Sequence, residues 1–294
     1  MIQEFLKYLR YERGLSQLTV DNYGKDLQMF SDYCETLEEP VTLESADSDV
    51  VRGWMEMMMD AGHKPTSVNR RLSALHCFYR FALKRKLVGK DPSHGILGPK
   101  KAKPVPSFVR EKEMERLLDE EMWNEDIFTD VRARTIIELF YNTGMRLAEL
   151  ISLDDSDVDF SLRQVKVIGK RNKQRIIPLG AKIVDLLKRY IAMRDDTVER
   201  DSEALFVNDK GKRISRAKVT MIVKDNLSRV TTLDKRSPHV LRHTFATAML
   251  NNEAGIESVR KLLGHAGLNT TEIYTHVTYE QLRAAYDKAH PRSD

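Results

Sequence analysis

The chain has 294 residues, 41% of them hydrophobic and 31% charged, with a formal net charge of +4. That is room for two domains with ordinary cores. No apolar run is long enough to cross a membrane and the amino terminus lacks a signal-peptide pattern, so a soluble, cytoplasmic protein without a membrane partner is expected.

In the amino-terminal half, periodic apolar residues predict four helices. The first carries Phe5, Leu6 and Leu9 and ends at Gly14. The second carries Val20, Tyr23, Leu27, Phe30 and Leu37; the third Val50, Val51, Trp54 and Met58; the fourth Val68, Leu72, Leu75, Phe78 and Phe81. No strand pattern intrudes. Cys34 and Cys77 lie among these helix-core positions without metal-ligand spacing, which reads as two buried thiols.

Charge is unevenly spread. Residues 1–63 hold 5 Lys or Arg against 13 Asp or Glu, whereas residues 64–103 hold 11 basic residues against the single acid Asp91. Such a run is often a plain solvated face, but this one precedes the Pro-, Gly- and Lys-rich segment 92–107, which reads as an extended linker. A polyanion running between two domains would pass there. Arg70, Arg71, Arg80 and Lys84 are therefore candidate phosphate contacts, as is Lys173 in the second half. The expected division is 1–91, linker 92–107 and 108–294.

The second half begins with helical patterns at Met114–Met122 and Val131–Tyr141, then TGMRLAELISL, where Gly144 interrupts a helix and Arg146 opens the next, sharing a face with Glu149. On its own that pair is a common surface ion pair. The alternation at Val165 and Val167, and again at Ile176, predicts short strands joined by a turn over Gly169–Lys173. ALFVNDKGKR suggests another strand and turn, and ISRAKVTMIVKDNL a helix rich in Lys and Arg that suits a polyanion.

The chemistry collects in residues 237–276, SPHVLRHTFATAMLNNEAGIESVRKLLGHAGLNTTEIYTH. Ser237 can cap a helix that accepts Pro238 in its first turn, with His239 and Arg242 on one face and Leu241, Phe245, Ala248 and Met249 as its buried stripe. A second helix with Ile256, Val259, Leu262 and Leu263 stops at Gly264, leaving His265 just past its end. Thr270 or Thr271 can cap a last turn bearing Tyr274. An arginine fork matches phosphate oxygens, histidine moves protons near neutral pH, and a tyrosine hydroxyl can act as a covalent nucleophile, so the set suits phosphate chemistry. Each of these side chains alone would more often be a packing or surface residue. A zinc site built from His239, His243, His265 and His276 is the rival, but Val240 stands where a zinc hydrolase places its glutamate; no metal is expected.

HVLRH, LLGH and YTH together resemble the carboxyl-terminal signature of the tyrosine recombinases, most closely the Xer type. The resemblance implies six active-site positions: Arg146, Lys170 (with Lys173 as its neighbouring rival), His239, Arg242, His265 and the nucleophile Tyr274, supported by Glu149. It implies a mainly α fold with a small β-sheet in the second domain. A four-helix, SAM-like core-binding domain would precede an α+β catalytic domain. A chain that opens directly on the helical domain is expected to lack the extra arm-site module of phage integrases. No cofactor is implied. The partners implied are duplex DNA with paired half-sites, a tetramer on two duplexes that can include a second Xer recombinase, and a DNA translocase as regulator. The expected activity is resolution of chromosome or plasmid multimers at cell division; the alternatives are an integrase or excisionase of a mobile element, or a type IB topoisomerase. Residues after Thr278, with Leu282, Ala285 and Tyr286 as an apolar stripe, are expected to form a helix; its stripe either packs on its own domain or, as the resemblance implies, docks on a neighbouring protomer.

Overall fold

In the computed structural model, residues 1–101, 107–169, 173–264 and 279–292 are described. The chain divides into two compact units, Met1–Pro104 and Val105–Asp294.

The first unit is helical. Helix α1 (Ile2–Lys7) runs into a π-helical turn (Tyr8–Glu12), and α2 (Gln17–Glu35), α3 (Ser48–Asp60) and α4 (Pro65–Lys84) follow. Their starts are locally encoded. The Asp47 carboxylate accepts the Asp49 and Val50 N–H groups at 2.9 and 3.0 Å, and Pro65 opens α4 where its missing N–H costs nothing. Phe5, Leu27, Phe30, Trp54, Met58, Leu75, Phe78 and Tyr79 fill the core, each contributing roughly 1.5–3 kcal/mol by burial. The Tyr79 hydroxyl pins the α2–α3 loop by donating to the Leu43 carbonyl at 3.0 Å. Cys34 is buried and Cys77 partly so, both as free thiols.

The segment expected to be an extended linker is partly folded against this unit. Ser93 and Ile96 are buried, the His76 ring bonds the Ser93 carbonyl at 2.8 Å, and Asn69 donates to the Pro99 carbonyl at 2.8 Å. Asp91 makes this possible: its carboxylate accepts the Ser93 N–H and hydroxyl and turns the chain back onto α4.

The second unit is built around α6 (Phe128–Thr143), which follows α5 (Glu111–Leu117). All sixteen residues of α6 except the exposed Thr129 and the half-buried Asp130 are buried, as a helix enclosed on all sides requires. Its buried cations are paired: Arg132 bonds the Val207 carbonyl at 3.0 Å and Asp209 at 2.8 Å, and Arg134 meets Glu125 at 3.0 Å. After α7 (Leu147–Ser152) come β1 (Val158–Asp159), β2 (Gln164–Ile168) and β3 (Gln174–Pro178), an antiparallel sheet in that order. Val165 pairs with Ile177 and Val167 with Arg175. The inward residue of β3 is thus Ile177, while Ile176 is 41% exposed, a register one residue away from the expected alternation.

Helices α8 (Ala181–Thr197), α9 (Arg216–Ser228), α10 (Pro238–Asn251), α11 (Ile256–Leu263) and α12 (Tyr279–Ala289) complete the unit. The strand expected in ALFVNDKGKR is reduced to two isolated bridges, Asp154↔Ala204 and Val207↔Arg213. Its backbone is tied instead to the loop after α7, with Leu205 N–H on the Leu153 carbonyl at 3.0 Å.

The last helix, α12, packs on its own unit, one of the two placements open to its stripe. Tyr286 is fully buried and donates to the Asn142 side chain at 3.1 Å, and Asn252 donates to the Ala289 carbonyl at 2.9 Å. The stripe finds the matching apolar and polar partners on α6 and α10 of the same chain. Just beyond α12, the His290 ring stacks on Tyr286 at 5.0 Å, meets the Tyr141 carbonyl through Nε2 at 2.9 Å and accepts the Arg292 N–H at Nδ1 at 3.1 Å. Both ring nitrogens are thereby used in the neutral tautomer. Burial lowers the imidazole pKa to about 4.

An unfolded histidine near 6.5 binds a proton that the folded one refuses, so this contribution to stability is complete above about pH 6.5 and is lost as pH falls towards 4. Denaturant titrations should show the parent losing about 2 kcal/mol more than His290→Gln between about pH 7 and 5. Equal slopes for the two proteins would contradict the buried neutral ring.

Candidate active site

The site starts where α6 stops. Gly144 ends that helix in the left-handed region (φ +57°), and a Cβ there would come within 2.4 Å of Phe245 and 2.8 Å of Leu263. Only glycine lets α10 and α11 approach the turn so closely. Two residues on, Arg146 takes the N-cap position of α7 and Glu149 the third helical position. The Glu149 carboxylate accepts the Arg146 backbone N–H at 2.7 Å and its guanidinium at 2.8 Å.

Arg175, inward-facing on β3, meets the same carboxylate with a two-pronged fork, both bonds 2.8 Å. Glu149 is 3% exposed. Burial alone would raise its pKa, but the bonds from Arg175 and Arg146 outweigh burial and hold it at about 2.

The same guanidinium groups converge on the end of α11. Its last carbonyls have no helical partner, and three arginines take them in succession: Arg175 Nε on Leu262 at 2.7 Å, Arg242 Nη2 on Leu263 at 2.7 Å, and Arg146 Nη2 on Gly264 at 3.0 Å. The second Nη of Arg242 donates to the Gly144 carbonyl at 2.6 Å. Burial, then repulsion from Arg146 and Arg175, lowers the Arg242 pKa to about 10, which still leaves it charged at neutral pH. Gly264 is left-handed (φ +62°), with Arg175 atoms 2.9–3.2 Å from where a Cβ would sit. His265 is the next residue in sequence.

His239 stands on the first turn of α10, on the helix that also carries Arg242, its ring 4.7 Å from that of His243 in an edge-to-face contact. Partial burial, and then the nearby charges of His243, Lys235 and Arg242, push its pKa down, favouring the neutral imidazole. Ser237 occupies the cap position as expected, with Pro238 behind it, but its hydroxyl caps nothing: Ser237 Oγ is buried without a partner. Ile256, expected in the stripe of α11, is 63% exposed because α11 begins only at that residue.

The structure thus brings together Arg146, Glu149 and Arg242, with His239 on the same helix as Arg242. Lys173 is exposed at the end of the hairpin, its carbonyl accepting the Gly169 N–H at 2.8 Å. Lys170, His265, Tyr274, Thr270, Thr271, His276 and Thr278 lie outside the described residues. Among the described residues no group of three or more His, Cys, Asp or Glu could hold a metal ion. Arg175 was missed by the sequence reading. The alternation expected at Ile176 would have turned Arg175 outward, so only the observed register shows a cation at an inward position.

In the first unit, the exposed face of α4 presents Arg70, Ser73, Arg80 and Lys84 at helical spacing. Two of the expected phosphate contacts are otherwise engaged. Arg71 is 11% exposed and donates to the Met58 sulfur at 3.1 Å, and Arg70 forks onto the buried Asp26, one bond being 2.8 Å. Asp26 explains both, since a carboxylate buried in the helical core must be paired. Reversing Arg70 and Arg71 would therefore strike the fold before it reached any ligand.

Two family models cover most of the chain: the N-terminal SAM-like domain of phage integrases over residues 2–86 and the phage integrase family over residues 107–281. The chain belongs to the phage integrase family, the tyrosine recombinases. It is 35% identical to tyrosine recombinase XerD of Oceanobacillus iheyensis, over 99% of this chain and 98% of the relative. It is 36% identical to tyrosine recombinase XerC of Chlorobaculum tepidum, over 99% and 94%. Its fold matches a crystal structure of the XerH site-specific recombinase bound to a palindromic difH substrate after cleavage, with TM-score 0.75, 22% identity and coverage of 98% and 84%.

Gly144→Ala is expected to cost about 2–5 kcal/mol, combining a left-handed alanine with overpacking against Phe245 and Leu263. Thermal unfolding measures it; a loss within about 0.5 kcal/mol, typical of surface changes, would mean that α10 and α11 can move apart freely.

Proposed function

We propose that the protein is a site-specific DNA recombinase that cleaves and rejoins duplex DNA through a 3′-phosphotyrosyl intermediate, in Xer-type resolution of chromosome or plasmid multimers. The observation that carries this is the convergence of Arg146 and Arg242, from two separate elements, on the end of α11, which His265 follows in sequence. In the proposed reaction the Tyr274 hydroxyl loses its proton, with His239 as acceptor, and attacks a phosphodiester. The bond to the 5′ oxygen breaks, and Lys170 protonates that leaving oxygen. A 5′ hydroxyl of the partner duplex then attacks the phosphotyrosine and releases Tyr274. One phosphoester is exchanged for another at each step, so the energy of the bond is conserved.

Arg146 and Arg242 neutralise the non-bridging oxygens and His265 adds a donor; removing one such preorganised donor typically costs about 3–4 kcal/mol. Proton transfer by His239 and Lys170 contributes on the order of 100-fold each or more. Four protomers on two duplexes, with a second Xer recombinase in alternate places and a DNA translocase as regulator, complete the proposal, and the cytoplasm is its place. The names of the XerD and XerC relatives support the Xer role. A type IB topoisomerase would use the same chemistry but reseal the strand it cut; strand exchange between two sites separates the two.

On a nicked suicide duplex, the parent should accumulate a covalent adduct and Tyr274→Phe should bind equally and form none. An adduct surviving that change would move the nucleophile elsewhere, Tyr279 and Tyr286 being first to test.

The exposed row on α4 is proposed to touch phosphates, with Arg216 and Lys224 of α9 as further exposed cations. Arg80→Glu with Lys84→Glu should weaken binding to every duplex alike and flatten the dependence of log K on log salt by about one for each phosphate no longer neutralised. An unchanged slope would make the row an ordinary solvated face.

A further inference from the structure

We infer that Arg175 is a positioning residue of this site, fixing the Arg146 guanidinium and the end of α11 in one geometry through its paired bonds to Glu149 and its bond to the Leu262 carbonyl. The inference rests on the recombinase reading above.

Arg175 uses all three of its nitrogens on these two partners. Its side chain ties β3 to α7 and to α11 at once, and it stands 13% exposed while Arg146 is 39% exposed. Arg146 is thus the guanidinium open to an incoming phosphate, and Arg175 sits behind it.

Charge decides why a second arginine is needed there. A buried Glu149 facing only Arg146 would cancel the charge that a phosphate must feel. With Arg175 matched to Glu149, the cluster of Arg146, Arg175, Arg242 and Glu149 carries a net +2, and without Arg175 it carries +1. The stability value of such a buried pair is commonly small, because desolvation offsets the attraction. Orientation is the better use of it. The Leu262 bond adds a second lever, since Leu262 lies three residues before His265 in sequence.

The carboxylate's own titration separates this role from a purely structural one. In the parent, Glu149 stays ionised far below neutral pH. The charged groups facing it are Arg146 at the start of α7, Arg175 on β3 and Arg242 on α10, while α11 offers carbonyls; Lys170 and His265 in the flanking segments lie outside the described residues. In Arg175→Lys the positive charge remains but the fork is lost, so burial raises the Glu149 pKa.

The experiment is single-turnover cleavage of a nicked suicide duplex by the full chain across the acid range, alongside binding to a single site and thermal unfolding. Arg175→Lys should bind like the parent, cleave slower by on the order of 100-fold, as for a misplaced catalytic group, and gain a new loss of rate with falling pH. Glu149→Gln should slow cleavage similarly without that pH limb, and the double variant should be no slower than the singles, because the two act as a unit. If Arg175→Lys proves unstable, Glu149→Gln must still slow cleavage while binding like the parent. Parental cleavage by Arg175→Lys or by Glu149→Gln overturns the role. So does a parallel loss of binding and cleavage with no acid limb, which marks a scaffold residue only. A parent that forms no adduct at all fails the recombinase reading itself and takes the role with it.

Discussion

The catalytic unit depends on one buried carboxylate. Taking Glu149 out of water costs several kcal/mol unless it is fully bonded. Here one backbone N–H and three guanidinium N–H groups satisfy it, and they come from two places in the chain, the start of α7 and strand β3. Satisfying Glu149 therefore forces a helix start and a strand to one point. The end of α11 is drawn to the same point, because its free carbonyls need donors and the same arginines supply them. Gly144 and Gly264 are positions at which backbone, without a Cβ, lets the elements close to that distance.

The helical unit solves a different problem with the same logic. One face of α4 must bury Leu72, Leu75, Phe78 and Phe81, while its other face carries the cations a polyanion would meet. Asp26 divides those cations into two kinds. It holds Arg70 and Arg71 in the fold and leaves Arg80 and Lys84 exposed. A run of basic residues in a sequence is therefore not a uniform surface, and which members face outward is decided by an acid on another helix.

This explains what could and could not be read from the chain alone. That Arg146 lies with Glu149, and His239 on one helix with Arg242, is legible because their spacing is local and helical geometry translates three or four residues into one face, whereas their roles are implied only by the family resemblance. Arg175 was not legible, because its importance comes from partners at positions 149 and 262, and nothing within its own strand announces them. The register of β3 was misread by one residue, since Ile176 and Ile177 are equally apolar and only the pairing of Val165 with Ile177 chooses between them. The folded part of the linker hid for a similar reason: Pro and Gly mark a break in helix, but the turn at Asp91 that returns the chain to α4 depends on His76 and Asn69. The stripe of the last helix is legible in the sequence, but its partner is not. Asn142, buried on α6 and aimed at Tyr286, supplies that partner within the chain.

The choice of partners for Arg146 and Arg242 follows from what each kind of partner does to a guanidinium's charge. A carboxylate orients a guanidinium strongly but cancels its charge; a helix carbonyl orients it more weakly and leaves the formal charge in place. Arg242 spends both Nη groups on carbonyls, at Gly144 and Leu263, and at a pKa of about 10 it remains a full cation at neutral pH. Arg146 divides its guanidinium between Glu149 and the Gly264 carbonyl, and Glu149 is in turn matched by Arg175. Positive charge is thus held in position by dipoles, and the one negative charge used for alignment is offset by a cation that faces away from solvent. Under the proposed function, an anion at this site would meet donors already fixed in place and not yet neutralised, the condition under which electrostatic stabilisation of developing charge is largest.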